Sequence, residues 1–225
     1  MNIEEQILPY QKLTKEYNAQ LVAVSKTKPN ESIEAAYKAG QRIFGENKVQ
    51  ELVTKNDTLP KDIQWHMIGH LQRNKVKYIA PFIKLIHAVD SLKLLKEINK
   101  EAKKNNRIIH CLLQVHISNE ETKFGFSYEE LDLLLTSNSL NEFENIIISG
   151  FMGMATNTTN EKLIAKEFSS LQQFYIKHKD NTSPVIQLQE LSMGMSGDYK
   201  IALQYGSTLI RIGSAIFGSR NLDKQ

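Results

Sequence analysis

The chain is short of several things, and each shortage removes a class of function. Of its 225 residues one is cysteine, Cys111. An intrachain disulfide is excluded, and a reducing compartment is expected. Ile108, Ile109, Leu112 and Leu113 around it make Cys111 a small buried hydrophobe rather than a nucleophile. No run approaches the ~18 apolar residues that a bilayer span requires. The start, Met1-Asn2-Ile3-Glu4-Glu5-Gln6, has neither the basic region nor the apolar core of a secretory signal. The net charge is only +3, and no Lys/Arg cluster interleaves with aromatics. That speaks against nucleic acid and against a membrane surface as partners. No Gly-x-Gly-x-x-Gly follows the first strand-like run, so a dinucleotide fingerprint is absent. No Ser-His-Asp or Cys-His arrangement is legible. His66 and His70 stand four apart, but no glutamate follows the first, and a third ligand is missing, which argues against a metal. A cytoplasmic protein of ordinary globular balance is expected, 41% hydrophobic and 24% charged.

What is present is a regular alternation. Short apolar runs occur at 21–27, 42–46, 64–69, 84–89, 108–117, 146–152, 187–193 and 208–213. Seven amphipathic segments separate them, and a further one precedes the first. Asn30 is placed to cap a helix in which Ile33, Ala36 and Tyr37 share a face and which Gly40 closes. Asp90 and Ser91 precede another, carrying Leu94, Leu95, Ile98 and Ala102. Ser127 to Glu130 spells a capping box before Leu131, Leu134 and Leu135. The clearest stripe is Ile164, Phe168, Leu171 and Tyr175. Strands alternating with helices predict parallel βαβ units, and near-continuous apolar strands predict a sheet covered on both faces. Eight units in this length predict one domain over residues 1–225. It is a closed α/β barrel of the TIM type, (β/α)8, with an extra N-terminal helix. An open doubly wound sheet is the alternative.

In such a barrel the functional site is built at the C-terminal strand ends, and the odd residues of this chain fall there. Lys26 ends the first run. An unpaired ammonium beside β-branched and apolar neighbours is costly. Losing the proton relieves that cost and leaves an amine nucleophilic toward aldehydes. Lys28 shares the parity of Lys26, and a second positive charge would favour the neutral amine. Two solvated lysines beside a turn are the plainer reading of the same pair. After the seventh and eighth runs come Ser196 and Gly213-Ser214, suited to an anion held by hydroxyls and backbone amides; ordinary turn and cap residues are the plainer reading. Arg211 lies between Leu209, Ile210 and Ile212, always charged and in need of an acceptor. Either a barrel carboxylate or a ligand atom supplies it. Lysine, arginine and an anion site together point to pyridoxal 5′-phosphate.

Longer segments carry a resemblance. They are Val22-Ala23-Val24-Ser25-Lys26-Thr27, Phe44-Gly45-Glu46-Asn47-Lys48-Val49-Gln50-Glu51 and Trp65 through Lys75. His87-Ala88-Val89-Asp90-Ser91, Ser192-Met193-Gly194-Met195-Ser196 and Arg211-Ile212-Gly213-Ser214-Ala215-Ile216-Phe217-Gly218 follow. In this order the chain resembles the pyridoxal phosphate homeostasis proteins, the YggS/PROSC type. The resemblance implies a barrel like the N-terminal domain of alanine racemase. It implies a Schiff base on Lys26, phosphate contacts from Ser196, Gly213 and Ser214, Arg211 at the pyridine nitrogen, and Asn47 near the ring. His116 and Phe151 depart from the family pattern, where asparagine and leucine are common. The resemblance implies a protein that binds and buffers the cofactor, or delivers it to apo pyridoxal-phosphate enzymes, rather than one with an established reaction; a monomer is expected. A weakly active enzyme of the amino-acid racemase type is the alternative. A two-base racemisation needs a base on each face of the substrate carbon. The chain ends soon after Gly218, so the second domain that supplies one in the racemase is expected to be absent. The roles of Lys28, Lys123, His66 and His116 stay open.

Overall fold

The computed structural model describes residues 2–118 and 124–218; Lys123 lies outside them. Eight strands close into a barrel in sequence order: β1 Gln20–Val24, β2 Ile43–Glu46, β3 Gln64–Met67, β4 Leu85–Val89, β5 Ile109–Val115, β6 Ile146–Gly153, β7 Ile186–Ser192 and β8 Leu209–Ile212. Every pairing is parallel, and β8 closes on β1 with Arg211 opposite Val22. The helix α1 (Ile3–Glu16) precedes β1. The seven crossovers carry α2 (Asn30–Lys38), α3 (Val49–Thr58), α4 (Val76–Ile79), α5 (Leu92–Lys104), α6 (Tyr128–Thr136), α7 (Glu161–His178) and α8 (Tyr199–Gln204). The short α9 (Ser214–Phe217) follows β8. The closed barrel decides against the open sheet.

The local signals explain most helix ends. Ser91 Oγ accepts from Leu94 N–H, and Ser127 with Glu130 forms the expected reciprocal cap. Gly40 takes φ +89 after α2. Asn30 does not cap: Pro29 holds that position, and the Asn30 carboxamide donates to Thr58 Oγ1 at 2.9 Å. On α7 the buried stripe is Ile164, Phe168, Leu171 and Phe174, with Tyr175 only partly covered.

The core has two layers. Between strands and helices lie Phe44, Trp65, Ile86, Cys111, Leu113 and Phe151, all buried. Burial pushes the Cys111 thiol far above its ordinary pKa. Inside the barrel a smaller cluster packs Val22, Leu85, Ala88, Leu112, Met152 and Leu209. At Gly150, φ is +154, and a Cβ would stand 1.8 Å from the Glu190 carbonyl oxygen. Only glycine lets β6 and β7 approach there, where their register shifts.

Candidate functional site

β1 ends at Val24, so Lys26 stands in the turn after the strand rather than within it. That turn is strained and firmly held. Thr27 has φ +64, a left-handed conformation that β-branched residues avoid. Its N–H donates to Glu51 Oε1 at 2.6 Å. Lys55 Nζ donates to the Ser25 carbonyl at 2.8 Å, to Glu46 Oε1 at 2.8 Å and to Glu51 Oε1 at 2.6 Å, which uses its three protons. Ser25 Oγ also donates to Glu46 Oε1. Glu46 is fully buried; burial pushes its carboxyl up, the Lys55 ammonium pulls it down, and Oε2 has no partner among the described residues. The turn bearing Lys26 therefore rests on a buried charge cluster, not on the apolar strand that its sequence suggests.

The opposite wall is the chain after β7 and β8. Gly194, at φ +87, leaves room against Ala202, where a Cβ would come within 2.6 Å. Asp198 Oδ1 accepts from Met195 N–H at 2.6 Å, and the Arg211 N–H donates to the Gly194 carbonyl at 2.9 Å. These bonds bring Ser196 to Ser214, Oγ to Oγ 3.5 Å. The first amides of α9 have no partner within the helix. Gly213 lets α9 begin against β1, with a Cβ position 3.2 Å from Val24. Asn47 follows β2, and Gly69 admits it: a Cβ at Gly69 would lie 2.6 Å from the Asn47 carbonyl oxygen.

The Arg211 side chain is buried in the floor. Its Nη1 donates to the Ser192 carbonyl at 3.0 Å and to Ser192 Oγ, and Nη2 donates to the Gly153 carbonyl at 3.2 Å. Burial lowers its pKa to about 10, opposed by Asp198, so it remains a cation at neutral pH. Of the acceptors expected for it, these are carbonyls and a hydroxyl rather than a barrel carboxylate.

Lys26, Asn47, Ser196, Arg211, Gly213 and Ser214 all line one cavity of about 390 Å³ at the C-terminal mouth of the barrel. Val24, Ile68, Met154 and Met195 complete it with apolar surface. Lys28 also lines it, and its Nζ donates to the Gly218 carbonyl at 3.0 Å. A flat molecule with an anion at one end would meet the paired hydroxyls, a cation beneath and a primary amine at the side. His66 and His70 part company: His66 is buried, whereas His70 is exposed, bonded to Asp90 at 3.0 Å and stacked on Phe124. Among the described residues no group of three His, Cys, Asp or Glu could hold a metal ion.

Sequence reasoning missed Lys55 and Glu51 beneath the Lys26 turn, and Ser192 with His87 beneath Arg211, where His87 Nδ1 lies 2.9 Å from Ser192 Oγ. For Ser192 and His87 the available signal was a polar residue inside an otherwise apolar strand; Lys55 and Glu51 sit on α3, where charged residues are ordinary and give no signal.

A family profile described as "Alanine racemase, N-terminal domain" matches residues 2–221. A protein named "Pyridoxal phosphate homeostasis protein" from Aquifex aeolicus is 37% identical over 203 residues, covering 90% of this chain and 87% of its own. The structure of PipY from Synechococcus elongatus without PLP superposes with a TM-score of 0.89 at 33% identity, over 96% of this chain and 100% of that one. PipY with PLP bound gives 0.85 at 32% identity, with the same coverage. No helix among the described residues is long and apolar enough to cross a membrane.

Proposed function

The chain belongs to the pyridoxal phosphate homeostasis proteins, within the alanine racemase N-terminal-domain family, and from that premise we propose that it binds pyridoxal 5′-phosphate, holds it reversibly and releases it to apo-enzymes that need it. The observation that carries this is the convergence of a primary amine, a buried cation and paired hydroxyls on one cavity. The donor set fits the cofactor. Ser196, Ser214 and the first amides of α9 suit a phosphate dianion. Arg211 suits the pyridine nitrogen, which it can only meet as a donor. Asn47, which lines the same cavity, would stand beside the ring. Lys26 carries the aldehyde carbon as a Schiff base, its amine replacing the carbonyl oxygen, which leaves as water.

Arg211 also argues for storage over turnover. When bound, the cofactor offers its ring as an electron sink, and a protonated pyridine nitrogen strengthens it. A permanent cation donating to that nitrogen leaves it unprotonated, so an adjacent carbanion gains little. The residues of this chain then orient and retain the cofactor without strongly activating it.

Visible absorbance of the purified protein with pyridoxal phosphate, followed by borohydride trapping, tests the assignment. The expected result is a coloured adduct reduced onto Lys26 and lost in Lys26→Ala. An adduct that persists on Lys28 would sink it. Incubation with L-amino acids in deuterated water separates storage from turnover. Slow or no exchange of the α-proton is expected, with transfer of cofactor to an apo-enzyme. Exchange at ordinary enzymatic rates, ~1–10³ per second, would replace this reading with a racemase-type enzyme.

A further inference from the structure

Four buried side chains are joined end to end through the barrel. Arg211 Nη1 donates to Ser192 Oγ. His87 Nδ1 is 2.9 Å from that oxygen, and His87 Nε2 is 3.0 Å from His66 Nδ1. None of the four is more than 5% exposed. A guanidinium can only donate, which fixes the first bond, and the need to place the Ser192 hydroxyl hydrogen on an acceptor orders the rest. Ser192 Oγ accepts from Arg211, and its own hydrogen goes to His87 Nδ1, its remaining partner among the described residues. His87 therefore carries its proton on Nε2 and donates to His66 Nδ1. His66 in turn carries its proton on Nε2. Burial and nearby positive charge, Lys84 beside His66 and Arg211 beside His87, keep both rings neutral.

His66 Nε2 has no partner among the described residues, and His66 lines a cavity of about 230 Å³. Gln20 and Gln64 begin β1 and β3, and Lys84 directly precedes β4, so this cavity lies at the N-terminal mouth, opposite the site described above. The 3% of His66 that stays exposed belongs to a residue lining this polar cavity, which is where an acceptor would meet the donor. The tautomer excludes a cation at that nitrogen, since its lone pair is occupied by the proton. Lys84 lines the same cavity as His66 and His110, and its charge helps to lower the pKa of both rings. His110 is itself engaged with Ser149 Oγ at 2.7 Å. Glu190 is the opposing charge in the lining. Its carboxylate accepts from Thr208 Oγ1, and burial pushes it toward the neutral form.

We propose that the N-terminal mouth of the barrel is a second binding site, for a small carboxylate whose oxygens accept from His66 Nε2–H and from the Lys84 ammonium. The proposal does not depend on what occupies the C-terminal mouth.

Two-bond proton–nitrogen correlation spectra of the ¹⁵N-labelled full chain test it. The expected result is the Nε2–H tautomer for both His66 and His87. Acetate, added at constant ionic strength against chloride, should shift the His66 ring signals saturably. The neutral isostere acetamide should not. Lys84→Met, at an exposed position, should weaken the acetate midpoint roughly tenfold or more, the scale of a lost charge-assisted bond. His66→Gln should abolish saturation when followed on His110. An Nδ1–H tautomer at His66 would overturn the proposal. So would a response to acetate that matches chloride or acetamide, or that Lys84→Met leaves unchanged; water would then be the occupant.

Discussion

The two mouths of the barrel are built in opposite ways. At the C-terminal mouth the functional groups other than Arg211 follow the strands rather than belong to them, and close contacts hold those segments: Lys55 and Glu46 under Ser25, Asp198 against Met195, Gly69 against Asn47. At the N-terminal mouth the groups belong to the strands or adjoin them, and the barrel itself fixes them. A turn can be reshaped while the sheet stays intact, so the first mouth can be retuned residue by residue. The second is tied to the closure of the barrel. Arg211 and His66 connect the two, so a change at either end has a path to the other.

The largest expected effect breaks both mouths at once. Gly150→Ala sets a Cβ into the Glu190 carbonyl at 1.8 Å and imposes φ +154 on an L side chain. Loss of cooperative thermal unfolding by circular dichroism is expected; a variant as stable as the parent would refute the close approach of β6 and β7. Next is Lys55→Met, which should damage only the C-terminal mouth. It leaves Glu46 buried without its partner and frees the Ser25 carbonyl. A loss of about 3–5 kcal/mol in urea unfolding is expected, the usual cost of orphaning a buried charge. Adding Glu46→Gln should restore part of it.

A third measurement reads the interior chain. His66 has its pKa pushed down to about 3 by burial, and His87 is also depressed. The unfolded chain protonates both near 6.5, so below that pH the unfolded state holds more protons and stability falls with acidity. The slope for His66 is about 1.4 kcal/mol per pH unit, fully developed below 6.5 and ending as pH reaches the folded value. His66→Gln should flatten the slope of unfolding free energy against pH by that amount; comparison of the two proteins cancels Glu46 and Glu190, whose raised pKa values act in the opposite sense. An unchanged slope would mean that His66 is not held neutral.

The smallest effects sharpen the anion end. Ser196→Ala and Ser214→Ala should each weaken retention of pyridoxal phosphate by roughly 1–3 kcal/mol, with no change in urea stability. Pyridoxal lacking the phosphate should bind much more weakly than the ester. Equal binding of the two would remove the anion from the site.

The contrast between the mouths is also a contrast in what the sequence reveals. Eight apolar runs separated by seven amphipathic segments made the barrel legible, because periodicity and caps are local. That Lys26, Arg211, Ser196 and Ser214 would meet at one mouth was legible because each is a polar residue at a C-terminal strand end, and they do line one cavity. The Lys26 turn was placed inside its strand because an apolar run gives no sign of a left-handed Thr27. Asn30 was misread because Pro29 takes the cap. The chain from Arg211 to His66 was not legible: Ser192 and His87 are 105 residues apart in sequence, and only the closure of the sheet makes them neighbours. The same is true of the N-terminal cavity, assembled from one or two residues of each of several strands.

Cys111 offers a clock. The chain has one thiol, and it lies fully covered between β5 and the helices. A thiol reagent can reach it only in molecules whose barrel has come apart locally or altogether. Where reclosing outpaces labelling, its modification rate divided by that of a free thiol is the population of the open form. The protein thus carries its own reporter of opening, free of any introduced label. Slower labelling as a ligand is added would measure, mouth by mouth, how much each occupant holds the barrel shut.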